Sequence, residues 1–559
     1  MINKWQPSPG IEPIQELMEI IECDNSISVL AGAGSGKTEL LAQKANYLLE
    51  TGKCSWPNKI LCLSYKREAQ ENIKERVTRR CGLRGSRFDS YTFDAFCKSI
   101  VDRFKDVLPN NKQPHKNYDL VFNVKECNKK DKISFDLIRA LALEILHIRP
   151  DIADLFSLAY SHVFIDEFQD TRSDQYELIK FIFKDKSVKL LAVGDINQSI
   201  MLWAKASPTV FKDLEKDFNA EKKFLVQNFR SSKEIQEVLG CFINFVQQTP
   251  NITAVGDNRE NCSIYIFKDE ISEASYLASK ISELIKSGVE ENEICVLTKQ
   301  LSPQYTEKLR GILTAKGIRN LEMSELQDIL REPLGEMLSS LFMVYTSKSP
   351  LSYTKLCEMY LSLHRVERGN DKEAKLINEL SQIISCNRMK LHNTPNADTL
   401  LSCIKDTLNH FGKGRIIGRW NQYKSRAFLD KVWSRLEDHL RYTISVTNSL
   451  TDAALMFQAE NAVQIMNIHK SKGLEYKVVI FIGLEDEAFW SYKKEKFEND
   501  CALYVALSRA KEKILITTAK YREHRITKQY DNRFSTYTNL MPAYDFLTQE
   551  CKFQCIDEN

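Results

Sequence analysis

The sequence lacks the features that mark zinc or iron–sulfur proteins, secreted proteins and membrane proteins. Its 15 cysteines contain no C-x-x-C pair, and the only close pair, Cys551 and Cys555, has no His or further Cys at metal-site spacing. This pattern predicts reduced thiols rather than zinc or iron–sulfur ligands. Acidic residues interrupt every apolar run near the start, and no run approaches the roughly 18 apolar residues of a membrane span. We therefore expect a cytoplasmic protein without a secretory signal or a membrane helix.

A strong excess of one charge is also missing. The 78 Lys and Arg residues are balanced by 75 Asp and Glu residues, which leaves a net charge of +3. This balance excludes the global basic field of a histone-type binder, so nucleic-acid binding would need a local basic and aromatic groove. The chain has 559 residues, of which 43% are hydrophobic and 27% are charged. That composition predicts a soluble globular protein with several cores.

Short apolar runs alternate with amphipathic stretches along most of the chain. Each run is rich in β-branched or aromatic residues and ends in a polar or glycine turn, as buried parallel strands do. Helical patterns follow at 37–50 and 67–80. The alternation predicts an α/β fold with parallel sheets. The strand-like runs are 26–30, 59–65, 162–167, 188–195, 292–298 and 476–484.

Two stretches interrupt this alternation. Residues 101–160 are rich in Lys and Asn at first and then helical, and residues 346–459 contain no strong strand run. We interpret both as helical inserts in an α/β frame. No low-complexity segment and no repeat of fixed period is visible.

The segment AGAGSGKT (31–38) fits the phosphate-binding template G-x-x-x-x-G-K-[ST], with alanine at the first glycine position. Gly34 and Gly36 let the backbone turn its N–H groups toward a phosphate. Lys37 would reach the β- and γ-phosphates, and the hydroxyl of Thr38 would bind Mg²⁺. The following helix adds the positive end of its dipole. A glycine-rich turn with a chance Lys-Thr pair is the alternative.

A carboxylate pair closes the apolar strand in VFIDEFQD (163–170). Asp166 is placed to hold Mg²⁺ through water, and Glu167 to orient or deprotonate the attacking water. A solvated turn after a strand is the alternative. Because the pair follows a phosphate loop in the expected chain order, the pattern favours hydrolysis of a nucleotide.

Phosphoryl transfer also needs positive charge at the transition state. Two arginines are candidates, Arg230 in QNFRSS (227–232) and Arg509 in YVALSRAKEK (504–513). By itself, each arginine is better explained as a surface residue than as an arginine finger.

Together these motifs resemble the superfamily-one DNA helicases of the UvrD/Rep/PcrA type. The resemblance runs from about residue 15 to about residue 516 and keeps the order of the family's motifs. The matching segments are PIQEL (13–17), AGAGSGKT (31–38), ILCLSYKREAQENIKERV (60–77), SYTFDAFCKSI (90–100), VFIDEFQDT (163–171), AVGDINQSIMLWAKA (192–206), FLVQNFRSSKEI (224–235), VQIMNIHKSKGLEYKVVIFIGLE (463–485) and LYVALSRAKEKILI (503–516).

The resemblance implies two RecA-like parallel-sheet P-loop domains, with ATP between them and reduced helical accessory inserts. Closure around ATP and opening after hydrolysis would drive movement along DNA. The predicted domains are 1–222 for the first RecA-like domain with its insert at about 101–160, 223–345 together with 460–559 for the second, and 346–459 for a helical accessory insert.

The resemblance also assigns roles at the nucleotide. Gln198 would sense the γ-phosphate, Arg230 and Arg509 would be arginine fingers, and Thr38 and Asp166 would hold Mg²⁺. Gln15 would read the adenine edge, Phe229 would stack on adenine, and Glu475 would bind the ribose. The implied catalytic set is Lys37, Asp166, Glu167, Gln198, Arg230 and Arg509. The implied ATP-binding set is Gln15, Ala33, Gly34, Ser35, Gly36, Lys37, Thr38, Glu39, Phe229, Arg230, Glu475 and Arg509.

The implied contacts to single-stranded or tailed duplex DNA are Tyr65, Phe93, Trp203 and His469. Trp203 can stack on a base, or it can be a core aromatic. Several positions depart from the family: Asp94 stands for His, Asn467 for Thr, and Met201, Ala204 and Lys205 for an aromatic residue, Arg and Gly. The family favours DNA and implies 3′ to 5′ movement, although stacking residues alone would also accept RNA.

The leading hypothesis is an ATP-dependent single-stranded DNA translocase or helicase. The small inserts resemble the lean build of the helicase subunit of the Gabija anti-phage system, which pairs with an OLD-family nuclease. That resemblance implies the alternative of a DNA- or nucleotide-sensing ATPase that regulates a nuclease partner. A non-enzymatic scaffold is the weakest hypothesis, because competent chemistry fills every nucleotide-facing position.

Overall fold

The computed structural model describes residues 5–116, 118–121, 125, 127–200, 206–207, 209–225, 227–247, 259–366, 369–522 and 535–558. The chain divides into two compact units. The first comprises Met1–Ala254 and Lys493–Ser508, and the second comprises Val255–Tyr492 and Arg509–Asn559.

A six-stranded sheet forms the centre of the first unit, and all its neighbouring strands run parallel. Its strand order is β3-β2-β6-β7-β1-β8, and β4 and β5 form a separate parallel pair. The strands are β1 (Ile27–Ala31), β2 (Lys59–Ser64), β3 (Phe88–Thr92), β4 (Asp119–Val121), β5 (Lys132–Ser134), β6 (Tyr160–Ile165), β7 (Lys189–Gly194) and β8 (Glu221–Leu225).

Helices cover both faces of this sheet, as the alternation of side chains along β2 shows. Leu61 and Leu63 belong to one apolar core, whereas Ile60 and Cys62 belong to another. Both faces are therefore apolar, as expected for a parallel sheet. The helices of the first unit are α1 (Gln15–Glu22), α2 (Lys37–Glu50), α3 (Arg67–Cys81), α4 (Phe93–Phe104), α5 (Phe135–Ile148), α6 (Asp151–Ala159), α7 (Ser173–Phe183), α8 (Val210–Phe218), α9 (Lys233–Gln247) and, much later in the chain, α22 (Lys496–Leu507).

The second unit also contains a parallel sheet, in the order β11-β12-β10-β13-β14-β9-β15. Its strands are β9 (Cys262–Phe267), β10 (Ile294–Thr298), β11 (Asn320–Glu322), β12 (Val463–Asn467), β13 (Tyr476–Ile482), β14 (Ala510–Ala519) and β15 (Gln554–Glu558). The helices outside its helical body are α10 (Glu270–Lys286), α11 (Ser302–Tyr305), α12 (Glu307–Ala315), α13 (Met323–Leu330), α21 (Ile468–Ser471) and α23 (Met541–Asp545), the last of which continues as a π-helical turn over Phe546–Glu550.

A helical body with its own apolar core is inserted between β11 and β12. A buried polar group lies within it, where the hydroxyl of Thr407 accepts a hydrogen bond from Asn387 at 3.1 Å. The helices of this body are α14 (Pro333–Ser347), α15 (Pro350–Leu363), α16 (Glu373–Asn393), α17 (Ala397–Phe411), α18 (Lys413–Arg419), α19 (Arg426–Ser445) and α20 (Leu450–Phe457).

The α/β class and the parallel sheets confirm the fold predicted from the sequence, but one boundary needs correction. The predicted division after residue 222 falls inside β8, which pairs with β1 in the first sheet. The first unit therefore continues through α9, and Arg230 belongs to it rather than to the second. The insert predicted at about 101–160 is not purely helical, because it contains β4 and β5. Among the described residues, no helix combines the length and apolar character that crossing a bilayer requires.

Candidate nucleotide site and nucleic-acid contacts

The glycine-rich segment connects the end of β1 to the start of α2. Gly34 and Gly36 both adopt positive φ angles, +72° and +81°, which are accessible to glycine at little cost. The hydroxyl of Ser35 donates to the carbonyl of Gly32 at 2.8 Å and so closes the loop on itself. Ala33 and Ser35 are buried, and Thr38 is half-buried in the first turn of α2. The amino end of α2, with its dipole and its first N–H groups, is suited to a phosphate.

Lys37 begins α2, and its ammonium donates to the carbonyl of Gly32 at 3.3 Å. It lies close enough to Asp195 to affect that carboxyl. Burial raises the pKa of Asp195 above its ordinary value, while the Lys37 ammonium and a hydrogen bond from Gln198 act in the opposite direction. Gln198 donates through Nε2 to Asp195 at 2.7 Å. Asp195 therefore binds the predicted γ-phosphate sensor and lies within the electrostatic influence of the lysine predicted to bind phosphate.

The carboxylate pair follows β6 at the same edge of the sheet, because the carboxyl ends of parallel strands lie together. Asp166 is buried, its amide donates to the carbonyl of Leu63 at 3.0 Å, and its Oδ1 accepts the amide of Glu167 at 2.9 Å. Glu167 has a left-handed φ of +50°, uncommon for a residue with a side chain. Hydroxyl and carboxylate oxygens such as those of Thr38 and Asp166 are ligands that Mg²⁺ accepts.

Gln169 joins this pair to the segment after β7. Its Nε2 donates to Glu167, and its Oε1 accepts the amide of Asp195 at 2.9 Å. A Cβ on Gly194 would lie 2.3 Å from that Oε1, so a larger residue there would displace the Gln169 amide. Neither Asp195 nor Gln169 was identified from the sequence as a site residue, although both lie inside the quoted motifs. The signal that could have identified them is their position in the chain, since Asp195 directly follows β7 and Gln169 lies two residues after Glu167.

The segment that carries Phe229 and Arg230 lies against the phosphate loop. The amide of Phe229 donates to the carbonyl of Gly34 at 3.0 Å. The Oδ1 of Asn228 accepts the amides of Arg230 at 2.7 Å and Ser231 at 3.1 Å, which fixes the turn. The ring of Phe229 is 57% exposed, as a ring that stacks on a base would need to be.

The guanidinium of Arg230 donates to the carbonyl of Ser508 at 3.2 Å. Ser508 directly follows α22 and directly precedes Arg509 in the chain. The structure therefore joins the turn on the phosphate loop to the carboxyl end of α22.

Two further predicted nucleotide ligands lie together in the second unit. Arg509 is buried, and its Nη1 donates to the carbonyl of Leu474 at 3.2 Å. Its own carbonyl accepts the amide of Tyr476 at 2.9 Å. Glu475, between these two partners, forms an ion pair with Lys511 at 3.1 Å.

Gln15 and Glu39, which are also predicted nucleotide ligands, contact neighbouring side chains in the structure. Gln15 is exposed at the start of α1 and donates to Glu19 at 2.9 Å. Glu39 forms ion pairs with Arg76 at 3.0 Å and Arg80 at 3.1 Å, so its carboxylate connects α2 to α3. Burial raises the pKa of Glu39, but hydrogen bonds from Gln43, Arg76 and Arg80 outweigh it and leave the pKa below its ordinary value. Its predicted nucleotide contact stays a prediction.

Of the predicted DNA contacts that the structure describes, two side chains are half-buried and one is buried. Tyr65, directly after β2, and His469, in α21, are half-buried. Asn467 accepts the amide of Lys470 at 3.1 Å and borders a cavity of about 870 Å³. The prediction for Phe93 is wrong in this structure, because its ring is 2% exposed and lies in an apolar core. Trp203 and its neighbours Met201, Ala204 and Lys205 lie outside the described residues.

A glycine loop between a buried parallel strand and a helix, with a carboxylate pair at the same sheet edge, defines a P-loop nucleotide-binding α/β protein. The model of the UvrD/REP helicase N-terminal domain matches residues 15–120 and 109–219. The model of the UvrD-like helicase C-terminal domain matches residues 224–358 and 372–521. The chain therefore belongs to the UvrD/REP helicase family, and its fold comprises two RecA-like domains.

Similar curated proteins cover nearly the whole chain. A probable DNA helicase II homolog of Mycoplasma capricolum is 25% identical, over 90% of this chain and 84% of the relative. The ATP-dependent DNA helicase PcrA of Staphylococcus aureus is 23% identical, over 89% and 82%. PcrA of Staphylococcus epidermidis is 22% identical, over 89% and 82%.

Proposed function

We propose that this chain is an ATP-dependent DNA helicase or translocase that moves 3′ to 5′ along single-stranded DNA in the cytoplasm. The observation that carries the proposal is the convergence on one sheet edge of Lys37, the Gln198–Asp195 pair and the Glu167–Gln169 pair. Such a site can both bind a triphosphate and hydrolyse it.

In this proposal each group has one task. Lys37 holds the β- and γ-phosphates, Thr38 and Asp166 hold Mg²⁺, and Glu167 orients the attacking water. Mg²⁺ would neutralise charge that develops on the phosphate oxygens. Gln198 senses the γ-phosphate, and Arg230 and Arg509 stabilise the transition state. Phe229 and Glu475 bind the adenine and the ribose, and Tyr65, Trp203 and His469 contact the single strand.

The proposal is tested by ATP hydrolysis with and without single-stranded DNA. The wild-type protein should be stimulated by DNA, and Lys37→Ala and Glu167→Gln should each reduce hydrolysis by about 10²-fold or more. Glu167→Gln keeps the acceptor for Gln169, so it should still fold and bind ATP. Lys286→Ala, at an exposed position near the end of α10, is the control. Equal hydrolysis with and without DNA would contradict the motor.

A second candidate is a DNA- or nucleotide-sensing ATPase that regulates a nuclease partner of the OLD family. The observation that favours it is Asp94, which replaces a family histidine and is engaged in an ion pair with Arg139. A sensor would hydrolyse ATP without separating strands. Displacement of a labelled strand from a 3′-tailed duplex by the isolated chain would eliminate this candidate, whereas DNA-stimulated hydrolysis without displacement would favour it.

A further inference from the structure

The guanidinium of Arg139 lies at the centre of an ion cluster in the first unit. Arg139 is 5% exposed on α5, inside the helical insert, and it pairs with Asp94, Asp136 and Asp174. Its Nε lies 2.7 Å from Oδ2 of Asp174. A second guanidinium, that of Arg172, lies 3.0 Å from Asp136 and 3.1 Å from Asp174. We call these five residues the Arg139 cluster.

Each carboxylate of the Arg139 cluster stands in the first turn of a different helix. Asp94 is the second residue of α4, Asp136 is the second residue of α5, and Asp174 is the second residue of α7. A carboxylate is favourable near a helix amino end, because the dipole is positive there. Arg139 supplies the forked donors that hold all three in fixed directions, which a lysine could not do as well. The cluster therefore fixes the starts of three helices relative to one another.

The Arg139 cluster is continuous with the backbone that follows the carboxylate pair. Arg172 forms an antiparallel bridge with Ala206, and the amide of Ser207 donates to the carbonyl of Thr171 at 2.9 Å. Thr171 is two residues from Gln169, which binds Glu167 and Asp195. A path of direct contacts thus leads from the insert helix α5 to the groups proposed to act on ATP.

The other end of the Arg139 cluster reaches the segment after β3. Asp94 follows Phe93 directly, and α4 begins where β3 ends. This segment lies beside β2, whose carboxyl end carries Tyr65. Strand β2 also pairs with β6, which leads to the carboxylate pair. A shift of α4 would therefore affect both the segment that carries Tyr65 and the segment that carries the carboxylate pair.

We propose that Arg139 is a positioning residue that couples DNA occupancy to ATP hydrolysis, by linking the first turn of α4 to the segment after the carboxylate pair. The inference rests on the proposed function, since it concerns stimulation of ATP hydrolysis by DNA. Arg139 touches neither nucleotide nor DNA in this proposal. It acts through Asp94 on one side and through Asp174 and Arg172 on the other.

The test compares two isosteric variants that each remove one carboxylate charge from Arg139. Asp94→Asn breaks the link to α4, whereas Asp136→Asn removes a charge from the helix that carries Arg139 itself. Both side chains are partly exposed, so both variants should fold. The measurements are ATP hydrolysis without DNA, its stimulation as an oligothymidylate single strand is added, and thermal unfolding. Arg139→Lys, which keeps the charge but loses the fork, is a third variant.

For Asp94→Asn we expect unstimulated hydrolysis close to wild type and a rise of about five-fold in the DNA concentration that gives half stimulation. Arg139→Lys should change in the same direction, and Asp136→Asn should stay within about two-fold of wild type. A purely structural role would instead lower the unfolding temperature and both activities together. If DNA stimulates ATP hydrolysis by Asp94→Asn and Arg139→Lys as it does in wild type, this inference is overturned but the proposed function is not. A wild-type protein that DNA does not stimulate would overturn the proposed function as well.

Discussion

Gly34 and Asn228 approach so closely that no side chain fits between them. A Cβ on Gly34 would lie 2.4 Å from Oδ1 of Asn228, and 2.8 Å from the Cβ of Arg230. The amide of Phe229 donates to the carbonyl of the same glycine. The phosphate loop and the QNFR turn therefore form one packed structure, and the loop glycine serves this contact as well as any phosphate.

We predict that Gly34→Ala destabilises the first unit and abolishes ATP hydrolysis. The added methyl group would displace Asn228, and the φ of +72° would be strained for alanine. Together these effects should cost about 2–4 kcal/mol. Chemical denaturation and an ATPase assay measure both consequences.

Gly10→Ala is the matched control, because Gly10 has a φ of +85° but nothing within 4 Å of its Cβ position. It should show only the backbone strain, about 1 kcal/mol, with activity retained. If Gly34→Ala hydrolyses ATP at the wild-type rate, the turn at 227–232 does not fix the conformation of the phosphate loop.

We predict that Gln169→Glu lowers the turnover of ATP by about ten-fold or more, with a smaller effect on its KM. The amide nitrogen that donates to Glu167 would become a carboxylate oxygen facing another carboxylate. The acceptor for Asp195 would be kept. The control is Gln422→Glu in the second unit, where Gln422 donates to Glu332 at 3.4 Å. Equal turnover in the two variants would mean that the direction of Glu167 does not limit hydrolysis.

The local parts of the site could be predicted from the sequence, because a phosphate loop and a terminal carboxylate pair are contiguous patterns. The compact unit to which Arg230 belongs could not be predicted in this way. Strand β8 lies at the edge of the sheet and consists of three charged residues followed by two apolar ones, so it has no apolar run to mark it. The ion pair between Asp94 and Arg139 joins residues 45 positions apart, and nothing local in either segment indicates it. The burial of Phe93 depends on helices packed around it, which a motif does not specify.

We predict that Arg522→Met destabilises the second unit by about 3–5 kcal/mol. Arg522 is 2% exposed and donates to two carboxylates that are also buried, from Nη1 to Oε2 of Glu273 and from Nε to Oε2 of Glu485, each at 2.9 Å. Removing it would leave two buried carboxylates without a counter-charge. Lys520→Met is the control, because its pair with Asp557 is largely exposed and should be worth less than about 0.5 kcal/mol.

The loss of stability caused by Arg522→Met should depend on pH. Burial raises the pKa of Glu273, and Arg522 opposes that rise. Without Arg522 the pKa in the folded state should move further above that of the unfolded chain, so the folded state would bind more protons. Stability then falls as pH rises past the ordinary pKa of glutamate, and the deficit against wild type should shrink in acid. A deficit that does not change with pH would contradict this account.

His439 should make the second unit sensitive to acid. Its imidazole is 8% exposed in the helical body and lies 3.1 Å from the carbonyl of Phe457. Burial lowers the pKa of His439 from 6.5 to about 4, although the carbonyl acts in the opposite direction. The unfolded chain therefore binds a proton that the folded chain excludes, and stability is lost as pH falls from about 6.5 toward 4.

Between pH 7 and pH 5 this effect should cost the wild-type protein about 2 kcal/mol that the variant His439→Gln does not lose. Chemical denaturation at the two pH values measures the difference. The same substitution at His392, exposed in α16, should leave the wild-type pH dependence unchanged. If His439→Gln loses as much stability in acid as wild type, the buried imidazole is not the group that titrates, and another buried group must carry the acid sensitivity.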